Sequence, residues 1–200
     1  MTALFKLKAG NTLLVATHNS GKINEIKSLL SPFSIKVYSA KDLNLPEPEE
    51  TGLTFEENAK IKASFAAKLT QKICLADDSG FCLNGLKGEP GIYSSRWAGP
   101  DQNYARAMHL IKNKLTGKSD RSAYFVCMLC VASPNNIVKY FEGRVDGQFV
   151  WPPRGENGHG YDPIFQPNHS EKTFAEMTEL EKNSISHRGK ALQRFLKECL

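Results

Sequence analysis

The sequence has no apolar run long enough to span a bilayer. Its longest, Ala123 to Ala132, is about half the length required. Met1 to Gly10 carries no hydrophobic signal region and no cleavage site, so a cytoplasmic protein with no membrane partner is expected. A disulfide framework is also missing. The five cysteines are odd in number and lack scaffold spacing, which fits a reducing compartment. Cys127 and Cys130 form a C-x-x-C, but inside a strand-like run residues three apart face opposite sides. Buried thiols, not a metal pair, are therefore expected. A strong charge of one sign is absent too. The net charge of +5 suits an anionic ligand without demanding a nucleic acid. The lysines are scattered, and there is no RNP-type motif, internal repeat or low-complexity segment.

What is present is an ordinary globular composition, with 40% hydrophobic and 24% charged residues over 200 positions. That length suits one domain, built as two lobes. Thr12 to Thr17 reads as a central parallel strand. It breaks at His18-Asn19-Ser20-Gly21 and is followed by a helix with Ile23, Ile26, Leu29 and Leu30 at helical spacing, stopped by Ser31-Pro32. Ile35 to Tyr38 reads as a second strand. Thr54-Phe55-Glu56-Glu57 reads as a capping box opening a helix to about Leu69. Its apolar stripe would be Phe55, Ala59, Ala66 and Leu69, with Lys62 in the middle. Tyr104, Met108, Ile111 and Leu115 mark a further helix ended by Gly117. Ala123 to Ala132 and Ile137 to Arg144 read as a β-hairpin.

The chemistry concentrates at Leu75-Ala76-Asp77-Asp78-Ser79-Gly80. Gln71 to Ala76 reads as a buried strand, with two carboxylates at its C-terminal end and a Ser-Gly turn after them. Ligands bind at the carboxyl ends of strands in open α/β sheets. Adjacent carboxylates there call for a cation or a shared proton, although an Asx turn is the simpler structural reading. The turn from Thr17 to Lys22 places a helix start and a lysine where an anion fits; an ordinary βα turn with a solvated lysine is the other reading. It is not a Walker A loop, since Ala16 stands at the first glycine and Ile23 at the Ser/Thr. Glu47, Glu49 and Glu50 read as a solvated acidic loop, or one of them completes a metal site. Lys62 either snorkels out of its stripe or reaches an anion. Arg96 is either a ligand clamp or local packing. The glycine-dense stretch Arg154 to Gly160 leads into Tyr161-Asp162-Pro163, where His159 or Tyr161 can stack on a flat ring; a flexible loop is the plain alternative. Ser186 is a candidate N-cap that puts His187 and Arg188 in a positive first turn.

The ordered set of motifs resembles a known family. Thr17-His18-Asn19-Ser20-Gly21-Lys22, Glu49 to Phe55 with Glu57-Asn58-Ala59, Ala76 to Gly80, Gly91 to Arg96, Gly160 to Phe165 and Ser186 to Gly189 follow the pattern of the inosine/xanthosine triphosphate pyrophosphatases (HAM1-like), enzymes of non-canonical purine nucleotides. The match runs from about Leu13 to Phe195. The resemblance implies an elongated α/β fold with a long mixed β-sheet flanked by helices, two lobes with an active-site cleft between them, and a homodimer. It implies Mg²⁺-dependent hydrolysis of ITP, dITP and XTP to the monophosphate and pyrophosphate, which clears them before incorporation into DNA or RNA. Carried over by motif, Thr17, His18, Asn19, Ser20, Gly21, Lys22 and Lys62 hold the phosphates. Glu50 and Asp78 hold the metal, with Asp78 as proton acceptor. Ser79 touches the substrate, and His159, Gly160, Tyr161, Asp162, Lys182, His187 and Arg188 surround the base. Two positions depart from the family pattern: His159 stands where Phe is usual, and His18 where Gly is usual.

The chemistry this implies is in-line attack of water on the α-phosphorus, with the lysines stabilising charge on the phosphoryl oxygens. A cation beside Asp78 is expected to hold its pKa low enough for proton acceptance near pH 7. A donor such as Arg188 or His187 rewards the 6-oxo group of hypoxanthine or xanthine over the 6-amino group of adenine. Two other readings remain: a Maf-like pyrophosphatase of other modified nucleotides, and a non-catalytic nucleotide- or RNA-binding module.

Overall fold

The structure is a computed structural model and describes residues 5–199. The reading of the Met1–Gly10 segment therefore lies partly outside it. Among the described residues, six strands form one mixed sheet in the order β2-β1-β3-β4-β5-β6. They are β1 (Thr12–Val15), β2 (Lys36–Ser39), β3 (Cys74–Leu83), β4 (Ser122–Ala132), β5 (Val138–Phe149) and β6 (Phe165–Pro167). β1 runs parallel to β2 and β3, while β5 and β6 are antiparallel. The helices are α1 (Ser20–Leu30), α2 (Phe55–Thr70), α3 (Ser94–Ala98), α4 (Tyr104–Lys114), α5 (Glu179–Ile185) and α6 (His187–Cys199). No helix among the described residues is long and apolar enough to cross a membrane.

The chain divides into two compact units. The first comprises Met1–Asp78, Cys127–Gly143 and Gly189–Leu200. Its sheet is covered on both faces, and the alternation of strand side chains decides what goes where. Leu13 and Val15 of β1 join Ile26 and Leu30 of α1 and Phe195 of α6 in one core cluster. Leu14, between them, joins Ala59, Ala63 and Ala67 of α2 in another. Cys127 falls in the first cluster and Cys130 in the second, so the two thiols do lie on opposite faces, buried as expected.

The second unit comprises Ser79–Val126 and Arg144–Arg188. Its core is aromatic: Phe81, Phe125, Phe165 and Phe174 pack with Leu83, Ile111 and Tyr161. Phe125 meets Phe165 edge-on at 4.9 Å, a favourable quadrupolar arrangement.

Three sequence expectations are corrected. β3 does not end at Ala76. It is continuous from Cys74 to Leu83, so Asp77-Asp78-Ser79-Gly80 are strand residues and not a turn. The strand that does end nearby is β1, whose pairing with β3 stops at Val15 opposite Leu75. The buried stripe of α2 is Asn58, Ala59, Lys62, Ala63, Ala66 and Ala67, while Leu69 is exposed; small alanines let the helix lie close to the sheet. The hairpin is longer than the sequence pattern suggests, since β5 runs to Phe149 with strict alternation of buried and exposed residues after Tyr140. α5 was not anticipated, although Thr178-x-x-Glu181 is a full capping box.

Candidate active site

In the first unit, a carboxylate–lysine centre forms where α2 faces the middle of β3. Lys62 Nζ lies 2.5 Å from Glu50 Oε1 and 3.0 Å from Asp78 Oδ1. The position inside the α2 stripe is thereby explained: Lys62 does not snorkel, it neutralises two acids. Burial pulls the Lys62 pKa down, but Asp78, Asp77 and Glu50 together more than offset this and leave it above the ordinary lysine value. For Asp78 the balance goes the other way. Burial raises its carboxyl above the ordinary range and Glu50 adds to this, against the lowering by Lys62 and Lys22. In this structure, then, the lysines do not hold Asp78 low; desolvation wins.

Asp77 points the other way along the pleat. Its Oδ2 sits 2.9 Å from Lys22 Nζ, with the carboxylate side chain fully buried. Lys22 comes from the first turn of α1, which Asn19 caps by accepting the Lys22 N–H at 3.1 Å. Thr17 Oγ1 in turn accepts the Asn19 N–H at 3.3 Å. Ser20, Gly21 and Lys22 thus begin a helix at the carboxyl end of β1, where the dipole favours anions. His18 Nε2 bonds Leu45 O at 2.8 Å and its Nδ1 lies 3.6 Å from Glu47. The acidic segment that carries Glu50 is therefore fastened to this turn.

A further group gathers in the second unit. Asp162 Oδ2 accepts the His159 N–H at 2.7 Å and the Lys182 ammonium at 2.7 Å. Asp162 and Lys182 are both buried. This pair fixes the turn from His159 to Asp162, and Gly160 has the left-handed φ of +69° that the turn requires. Tyr161 is turned into the core, stacked on Phe81 at 5.3 Å with its hydroxyl donating to Ser94 O at 2.7 Å. Its ring is therefore not available to stack on a ligand. His159 is exposed, edge-on to Tyr104 at 4.9 Å. His187 and Arg188 open α6 and are both buried. The His187 ring stacks on Phe125 at 4.8 Å, and Arg188 donates to Ser79 Oγ at 3.5 Å. Arg96, the other arginine singled out from sequence, is exposed and lies over the Tyr93 ring at 5.1 Å.

The donor set suits a hard cation. Two oxygen carboxylates already converge on one positive charge, the Lys62 ammonium. A pair of carboxylates fits Mg²⁺, which is commonly held by one or two carboxylates with water and substrate phosphates completing the shell.

The fold and these clusters define an α/β protein with a buried acid–lysine centre beside the carboxyl end of its first parallel strand. The chain belongs to the Ham1 family, whose model matches residues 13–198. It is 48% identical over 195 residues to a protein of Gluconobacter oxydans named dITP/XTP pyrophosphatase, covering 98% of this chain and 94% of that one. A protein of the same name from Zymomonas mobilis is 46% identical, with 94% and 91% covered. Among solved structures, a HAM1 protein from Coxiella burnetii superposes with a TM-score of 0.87 at 40% identity, covering 94% of this chain and 97% of that one. The Staphylococcus aureus Ham1 protein gives 0.84 at 39%, covering 94% and 97%.

Proposed function

We propose that this chain hydrolyses non-canonical purine nucleoside triphosphates (ITP, dITP and XTP) to the monophosphate and pyrophosphate, and so removes them from the nucleotide pool. Family membership and the named relatives support the activity. The observation that carries the site reading is the convergence of Glu50 and Asp78 on one cation, Lys62, deep against β3.

In this reading Thr17 to Lys22 and Lys62 bind the phosphates, the first through a helix start and Lys22, the second through its ammonium. Glu50 and Asp78 hold Mg²⁺, which when bound neutralises phosphate-oxygen charge and makes water more acidic. Asp78 accepts the proton of the water that attacks the α-phosphorus; burial raises its carboxyl in the metal-free protein, and a bound cation would lower it again. Lys62 stabilises the charge that builds on the phosphoryl oxygens. In the second unit, Ser79, the His159–Asp162 turn, Lys182, His187 and Arg188 receive the base. Arg188 and His187 supply donors for a 6-oxo group. A 6-amino group leaves such donors unpaired, which costs about 1–3 kcal/mol for each one.

The chain acts as one catalytic domain and as a homodimer in the cytoplasm, with no nucleic-acid or membrane partner. The product pair tests the reaction itself. With ITP and Mg²⁺ in isotopically labelled water, we expect IMP and pyrophosphate, with the label in IMP. Release of IDP and orthophosphate would overturn the proposal.

A further inference from the structure

Asn58, which the chemistry above does not use, bonds the Asp78 carboxylate and the backbone two residues beyond Glu50. It lies on α2 and is fully buried, at 0% exposure. Its Oδ1 accepts the Gly52 N–H at 2.9 Å, two residues beyond Glu50. Its Nδ2 donates to Asp78 Oδ2 over a longer 3.4 Å. Lys62 occupies the other oxygen, Oδ1. One amide thus ties the backbone that carries Glu50 to the carboxylate of Asp78, although the two acids come from different elements. The seat is tight. A Cβ at Gly52 would meet Asn58 Oδ1 at 2.6 Å and Glu57 Cβ at 2.7 Å. Glu57 holds the next residue as well, accepting the Leu53 N–H at 2.6 Å.

We infer that Asn58 is a positioning residue that sets the spacing and orientation of the Glu50 and Asp78 carboxylates as a pair. An amide suits this place. It presents an acceptor to one side and a donor to the other, and it adds no third charge beside two acids. The inference rests on the proposed metal-binding role of Glu50 and Asp78. Partners that orient metal-binding carboxylates typically cost about 10–100-fold in metal affinity or activity when removed.

The test uses two variants, Asn58→Ala and Gly52→Ala. The second displaces Asn58 sterically and removes no ionisable group, so it decides the matter if the first fails to fold. Mn²⁺ affinity of the nucleotide-free protein is measured by calorimetry, and kcat and KM for ITP by pyrophosphate release. In variants with wild-type circular dichroism, we expect Mn²⁺ affinity and kcat each to fall about tenfold or more, with KM for ITP changed less than about threefold. A variant that melts earlier but keeps wild-type Mn²⁺ affinity and kcat would overturn the inference and leave the proposed function standing. A wild-type protein that binds no Mn²⁺ and releases no pyrophosphate would instead overturn the proposed function, and the inference with it.

Discussion

Asp77 and Asp78 are neighbours in sequence but face opposite sides of β3, one paired with Lys22 at 2.9 Å and the other with Lys62 at 3.0 Å. The mutual repulsion that two adjacent aspartates suggest is therefore avoided by the pleat itself. Each acid has its own lysine, one from the start of α1 and one from the middle of α2. The roles separate accordingly.

Asp78→Asn keeps the shape and removes the proposed proton acceptor. We expect kcat for ITP to fall about 10³-fold with circular dichroism unchanged. Asp77→Asn loosens Lys22 at the helix start instead. It should raise KM by about tenfold, the worth of one charge-assisted contact, and change kcat less. Steady-state kinetics on both variants checks this; equal kcat losses would contradict the division of roles.

Lys62→Met leaves the buried Asp78 and the partly buried Glu50 without their shared cation. Breaking a buried pair from one side costs about 3 kcal/mol, so the metal-free variant should melt well below wild type. Added Mg²⁺ supplies the missing positive charge. The Mg²⁺-induced rise in Tm is therefore expected to be larger in Lys62→Met than in wild type, measured by calorimetry with Mg²⁺ and with EDTA. An equal rise would mean that Lys62 is not the resting counter-charge.

Gly158 has a φ of +79°, and a Cβ there would meet Asp162 Oδ2 at 2.2 Å. Gly158→Ala should push Asp162 away from Lys182 and from the His159 N–H. We expect KM for ITP to rise about tenfold while kcat falls less, because the reacting end is untouched. A fall in kcat with KM unchanged would contradict a base-binding role for this turn.

Glu181 gives a pH dependence with a definite sign. Hydrogen bonds from Lys172 and from the Thr178 N–H lower its pKa to about 2 from the ordinary 4.5. A depressed carboxylate pKa stabilises the fold above the unfolded value, and that contribution is lost as pH falls from about 4.5 toward about 2. Glu181→Gln should therefore be less stable than wild type at pH 7, with the gap closing as pH drops through that window. Urea melts across pH check this; a gap that widens in acid would reverse the sign.

Much of this was legible in the chain. The strand–turn–helix from Thr12 to Leu30 follows from β-branched residues, a polar break and helical spacing. The burial of Cys127 and Cys130 on opposite faces follows from strand geometry alone. The placement of Asp77 and Asp78 beside a parallel strand's carboxyl end was also readable, but the strand was β1 and not their own. Ser79-Gly80 carries a turn signal, and tertiary pairing overrode it to keep β3 extended. The burial of Tyr161 was hidden for a similar reason. Its partners Phe81 and Ser94 are far off in sequence, and nothing local marks the ring as core rather than ligand-facing. Asn58 lay in a recognised motif, but only the fold shows that its two amide atoms point to Gly52 and Asp78. The capping box Thr178-x-x-Glu181 marks the start of α5, but its 7 residues are too few for helical periodicity to show.

The proposed activity is that of a metal-dependent pyrophosphatase acting on ITP and XTP. Pyrophosphate release from ITP, XTP, GTP and ATP, with Mg²⁺ and with EDTA, tests it most directly. Fast release from ITP and XTP that EDTA abolishes, with GTP and ATP nearly untouched, is the expected result. Equal rates on all four nucleotides, or release that persists in EDTA, would contradict it.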